Sequence, residues 1–156
     1  MNAKIDNLVV HFLKVLGEND LSYSVNETYF SKMVNKKTLD IKEDEFKKFI
    51  TRISWVRPVD ILIMSINCVE KMKRTLNLRG CYKFGILWIT CLLSTKYVYA
   101  YDNEKEIMVE FWSNLGGFQL EDYVFFERKI LQEIDWKLEI SEKDYNRLID
   151  ISNKTG

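Results

Sequence analysis

Apolar residues recur at helical spacing along most of the chain. Ile5, Leu8, Val9, Phe12, Leu13 and Leu16 predict a first amphipathic helix over residues 4–16, with Gly17 placed to end it as a C-terminal cap. Phe46, Phe49, Ile50 and Ile53 repeat the pattern, giving a helix from Glu43 to near Trp55. Pro58 suits the first position of the next helix, where its missing N–H costs nothing. That helix, over 58–74, contains VDILIMSINCVEKM and is apolar on most faces. Residues 76–80 connect it to Phe84–Thr95, FGILWITCLLST, a run without any charge. A helix hydrophobic all round has no face suited to water and is buried. The run is also too short for a bilayer, which takes about 20 apolar residues. Residues 82–98 are therefore expected to form the central helix, with the amphipathic helices wrapped around it.

The remaining segments divide into connections and shorter helices. Residues 18–40 show no sustained period and read as a long connection with one turn of helix at 26–33, where Tyr29, Phe30 and Met33 are candidates for pinning it to the core. After the central helix, Tyr101, Asp102 and Asn103 signal a turn. A short amphipathic helix over 104–115 follows, stopped by Gly116 and Gly117. The next helix spans 120–134, and Asp135, Trp136, Lys137 and Leu138 lead out of it. Ser141 followed by Asp144 has the form of a capping box and opens a last helix through Ile149.

Composition narrows the class without naming a function. The 156 residues suit one domain with one core. Lysine and arginine total 23 and aspartate and glutamate 23, so no overall field draws the chain to nucleic acid or an anionic membrane. Cys68, Cys81 and Cys91 are odd in number, far apart and partly within apolar runs, and read as reduced core thiols. The beginning of the chain, MNAKIDNLVV, lacks the apolar stretch of a secretory signal, so a cytoplasmic or nuclear protein is expected.

Two charges fall on apolar stripes. In the helix over 120–134 the apolar face reads Tyr123, Val124, Ile130, Leu131 and Ile134, and Glu127 lies on it. In the central helix Ile89, Leu92 and Lys96 share a stripe by the same arithmetic. A charge taken from water must be paired or hydrogen-bonded. Either Lys96 snorkels to solvent while Glu127 sits at a rim, or the two form a pair that is a candidate for function.

The segments WITCLLSTKYVYAYDN and FWSNLGGFQLEDYVFFERKILQEIDWKLEIS resemble the cyclin box, most closely its P/U-type (phosphate-system) branch. The shared features are the order of a lysine after an apolar run, a Gly-Gly stop, a Leu-Glu start, a Glu-Arg core and an Asp-aromatic-Lys-Leu exit. The likeness covers roughly residues 43–150. It implies an all-α, five-helix cyclin box with helices at 43–55, 58–74, 82–98, 104–115 and 120–134, an extra N-terminal helix with its connection within 1–42, a short C-terminal helix, and a tail at 151–156.

By the same resemblance, Lys96 and Glu127 match the lysine and glutamate that hydrogen-bond backbone groups beside the C-helix of a cyclin-dependent kinase. Tyr97, Leu131, Trp136 and Leu138 match the surrounding apolar contacts, with Trp136 in place of the usual phenylalanine. The implied function is a regulatory subunit that binds and activates a cyclin-dependent serine/threonine kinase, with no chemistry, metal or cofactor of its own.

The chain departs from the pattern at Val98 and Tyr99, which stand where acids commonly follow the lysine, and it has no MRAIL-type motif before the second helix. Arg52 and Glu70 are candidates for the family's internal arginine–acid bridge. The rival readings are a cyclin-fold module that binds DNA or other proteins, with Lys71, Lys73, Arg74, Arg79 and Lys83 as its basic cluster, and a scaffold that no longer activates a kinase. Catalysis is the weakest reading, since His11 is the only histidine and no phosphate-binding glycine loop is present.

Overall fold

A computed structural model describes residues 3–17, 41–52, 57–74, 83–98 and 120–154. Every regular element among them is an α-helix: α1 (Ala3–Gly17), α2 (Glu43–Arg52), α3 (Pro58–Lys73), α4 (Lys83–Val98), α5 (Leu120–Glu133) and α6 (Glu142–Ser152). The expected turn of helix at 26–33, the helix at 104–115 and the Gly-Gly stop lie outside the described residues. No helix among those described is long and apolar enough to cross a membrane.

The uncharged run behaves as its composition demands. Every residue from Gly85 to Thr95 in α4 is buried. Burial on all sides leaves the hydroxyls of the run to find partners within the protein. Thr90 Oγ1 lies 3.0 Å from the carbonyls of both Ile86 and Leu87, and Thr95 Oγ1 donates to Cys91 O at 2.7 Å. Helix α3 is the main neighbour of α4, and small side chains face each other between them. Ser65 Oγ donates to Ile61 O at 2.7 Å and lies 3.2 Å from Cys91 Sγ and 3.3 Å from Ser94 Oγ. Cys68 and Cys91 are free and buried, and burial pushes both thiols up to about 12. They are inert at neutral pH, because the thiolate is the reactive form.

The other helices close around this pair. Helix α2 packs on the start of α4 through rings: Phe49 stacks on Trp88 at 4.4 Å, and Phe46 meets Phe84 at 5.9 Å and Trp88 at 6.1 Å. Helix α5 sets Tyr123, Phe126 and Ile130 against α4 and α3, and Ile134 in the turn after it is also buried in the core. Helix α1 packs on α3 and α6 and buries Ile5, Leu8, Val9, Phe12, Val15 and Leu16 in the same core as the rest. The N-terminal helix is thus an integral part of the fold. Asn7 ties it to the end of α6, its Nδ2 donating to Ser152 O at 3.0 Å and Lys154 O at 2.6 Å.

Boundaries follow local chemistry. Pro58 occupies the first turn of α3. Ser141 caps α6, accepting from Asp144 N at 3.1 Å while its own hydroxyl donates to Asp144 Oδ2 at 3.0 Å. Helix α6 runs past the expected end at Ile149 to Ser152, because Leu148 and Ser152 one turn apart are both buried.

Glu70 on α3 joins the outer helices. It accepts from Arg147 Nη2 of α6 at 2.8 Å and lies 3.9 Å from His11 Nε2 of α1. Arg147 thus meets Glu70, while the side chain of Arg52, the expected bridge partner, lies outside the described residues. Burial raises the Glu70 carboxyl pKa, but the neighbouring His11 imidazole and the hydrogen-bonded Arg147 guanidinium outweigh it and leave the value lowered. A lowered folded-state pKa stabilises the fold above the unfolded value of about 4.3, and that contribution is lost as pH falls through the folded value. Glu70→Gln is therefore expected to lower the melting temperature near neutral pH and to narrow its gap to wild type on acidification below pH 4. Thermal melts across pH 3–7 check this.

Candidate functional site

Helix α4 leaves the core at Lys96. Thr95 is buried, Lys96 is 37% exposed at its side chain, and Tyr97 and Val98 are 48% and 41% exposed. The sequence has no further polar face to offer at this point, so the helix surfaces by ending. Helix α5 brings Glu127 to the same place. Glu127 shares the stripe of Tyr123 and Leu131 at four-residue spacing, and its side chain retains only 18% exposure.

Lys96 Nζ lies 3.0 Å from Glu127 Oε1 and 3.1 Å from Oε2. The two awkward charges of the sequence are therefore partners, and the lysine engages both carboxylate oxygens. Such a partly buried pair does little for stability when set against apolar packing of similar volume. Its outer side faces solvent, leaving the third ammonium hydrogen and carboxylate lone pairs for an incoming group.

The large apolar side chains exposed among the described residues are Val10, Tyr97, Val98, Val124 and Trp136. All but Val10 lie on the end of α4, on α5 or in the turn after it. Leu131 is half-buried and packs on the core. Leu138, a predicted contact, is only 4% exposed and is turned inward, so its role here is to anchor the segment after α5. Trp136 is 62% exposed.

The turn that displays Trp136 has an unusual backbone. Asp135 and Trp136 both lie in the left-handed region, with φ of 57° and 59°. Trp136 N donates to Leu131 O at 2.7 Å and Asp135 N to Gln132 O at 3.2 Å, the bonds of a Schellman motif. Glycine is usual at the residue after the cap, and each non-glycine residue in this region costs about 1–2 kcal/mol. The conformation is held from beyond the turn by Leu138 in the core and by Lys71 of α3. The Lys71 ammonium donates to Lys137 O at 2.6 Å and Glu139 O at 2.9 Å. Lys71 was a candidate member of a basic surface; it is committed to these carbonyls instead. Lys83 and Arg74 are exposed, and Arg79 lies outside the described residues.

Tyr123 lies beneath the pair. It is fully buried, and its hydroxyl has no hydrogen-bond partner among the described residues. Burial first, and then the carboxylate of Glu127 one turn along, raise the phenol far above its ordinary value. The hydroxyl and carboxylate are thus close neighbours whose hydrogen bond is not closed. Among the described residues no cluster of histidine, cysteine, aspartate or glutamate is arranged to hold a metal ion.

Sequence reasoning brought Lys96, Glu127, Tyr97, Leu131, Trp136 and Leu138 forward but placed Lys71 in a basic cluster rather than on the 137–139 backbone, and missed the unpaired hydroxyl of Tyr123. Nothing in the local sequence signals a lysine that reaches across to a distant loop. The left-handed turn had one weak signal, because aspartate visits that region more readily than most residues.

A scan against protein-family models gives no match, a search of curated proteins finds no similar chain, and a search of solved structures finds none either.

If strain resides at Asp135, Asp135→Gly relieves it. The variant is expected to be more stable by about 1 kcal/mol, raising the melting temperature by about 2–4 °C. Differential scanning calorimetry measures this.

Proposed function

We propose that the chain is a regulatory subunit of the cyclin type, which docks on a cyclin-dependent serine/threonine kinase and favours its active state. The docking surface is the end of α4, the outer face of α5 and the turn after it. The observation that carries the reading is the Lys96–Glu127 pair, half-open to solvent and bordered by exposed Tyr97, Val98, Val124 and Trp136. The surrounding architecture supports it. The described helices fall in the order a cyclin box would have at 43–52, 58–73, 83–98 and 120–133, with the longest uncharged run as the buried hub.

Lys96 supplies an N–H donor and Glu127 an acceptor to backbone groups beside the kinase C-helix, while the exposed aromatic and valine side chains supply apolar area. An aromatic anchor held by the backbone has few conformations to lose on binding, which suits a hot spot. Holding the C-helix inward brings the kinase's own lysine–glutamate pair and magnesium-binding groups into register. The effect is a population shift, since the subunit binds the active arrangement more tightly than the inactive one. The chain contributes no reacting group.

The commitment of Lys71 to the 137–139 backbone weakens the rival reading as a nucleic-acid module, because it withdraws one cation from the basic cluster.

Co-expression with a panel of cyclin-dependent kinase catalytic subunits tests the proposal. Glu127→Ala removes a charge-assisted hydrogen bond and is expected to weaken capture about 10- to 150-fold. Trp136→Ala is expected to weaken it as well, and both variants keep the wild-type helical circular dichroism. Undiminished capture by Glu127→Ala would falsify the site assignment.

A further inference from the structure

The unpaired hydroxyl of Tyr123 calls for an explanation. Buried polar groups are nearly always hydrogen-bonded, and leaving one unmade destabilises the fold. A phenylalanine would fill the same space without that cost, so packing alone does not account for a tyrosine. The carboxylate of Glu127 stands one helical turn away on the same face and has lone pairs to spare. Yet its two oxygens are turned to Lys96, at 3.0 and 3.1 Å.

We infer that Tyr123 is a positioning residue of this site, whose buried hydroxyl is the reserve donor that holds the Glu127 carboxylate when an incoming main-chain carbonyl draws Lys96 outward. The inference rests on the docking reading above and adds a step to it. In the free protein Lys96 grips both carboxylate oxygens, and the Tyr123 hydroxyl, though close to Glu127, makes no well-formed hydrogen bond among the described residues. When a partner carbonyl takes a share of the ammonium, one oxygen of Glu127 is released. The Glu127 side chain as a whole is only 18% exposed, so water is a poor substitute for the lost partner. A small rotation of the carboxylate toward Tyr123 closes the open hydrogen bond and keeps Glu127 aimed at the partner's N–H. The cost carried in the free state is thereby recovered in the complex, where it adds to affinity. The lysine is the mobile member of the pair, being more exposed than the glutamate and on a longer side chain, and the tyrosine is the fixed one.

The free protein supplies a direct test, because removing the lysine imitates its withdrawal. Melting temperatures are measured for Tyr123→Phe, Lys96→Met and the double variant, with Lys96→Ala as a second background should the methionine fail to fold. In the wild-type background Tyr123→Phe leaves the melting temperature unchanged or raises it, since an unpaired hydroxyl is removed. In the lysine-free background the same substitution lowers it by roughly 2–4 °C or more, since the hydroxyl now serves Glu127. An effect of the same sign in both backgrounds overturns the role of Tyr123.

On a kinase catalytic subunit captured by the wild-type chain, Tyr123→Phe is expected to weaken affinity about tenfold. Unchanged affinity would likewise overturn it. A failure of the docking reading appears elsewhere, in the response of capture to Glu127→Ala, so the two failures are told apart.

Discussion

The burial of α4 on every side is the constraint from which the other helices take their places. A run that is apolar around its whole circumference gains nothing from an exposed face, so it requires a shell. Helices α3, α2 and α5 provide that shell directly, and α1 and α6 complete the layer behind α3. The buried hydroxyls of the run bond back to their own helix or meet Ser65 of α3, which lets the segment remain dry without orphaned polar groups. The point at which this helix can end is also the point at which charge becomes affordable, and Lys96 stands there.

Where the core stops, the structure departs from what stability alone would favour. The Lys96–Glu127 pair is partly desolvated on one side, Tyr123 carries an unsatisfied hydroxyl below it, and two successive residues adopt left-handed backbone to expose a tryptophan. These three features lie on α4, α5 and the turn between α5 and α6. Elsewhere Ser141 caps its helix, Asn7 satisfies two carbonyls and Glu70 is met by Arg147, although His11 Nε2 on α1 and Asn67 Nδ2 on α3 are also buried without a hydrogen-bond partner among the described residues. The left-handed pair at this surface persists because the surrounding structure holds it in place. Here Leu138 and Lys71 do the holding.

Much of this was readable along the chain because period and charge are local signals. The stripes of α1, α2 and α5 and the uncharged run of α4 announced themselves by spacing, and Pro58 and Ser141 marked two helix starts. The same arithmetic picked out Lys96 and Glu127 as misfits, although it left open whether they meet. Other features depend on which elements become neighbours, which spacing does not encode. Arg147 lies 77 residues from Glu70 and Lys71 is 66 residues from the carbonyl of Lys137, so no window of sequence connects them. The inward turn of Leu138 beside the outward display of Trp136 likewise follows from the left-handed turn, whose conformation a non-glycine sequence conceals.

The central claim is that the surface around Lys96 and Glu127 shifts a kinase toward its active arrangement. The most direct measurement is the phosphoryl-transfer rate of a purified cyclin-dependent kinase catalytic subunit, taken from the co-expression panel, as the purified chain is titrated in. The account predicts stimulation that saturates at an equimolar ratio. A rate that stays at its basal level throughout the titration, for every kinase of the panel, would contradict it.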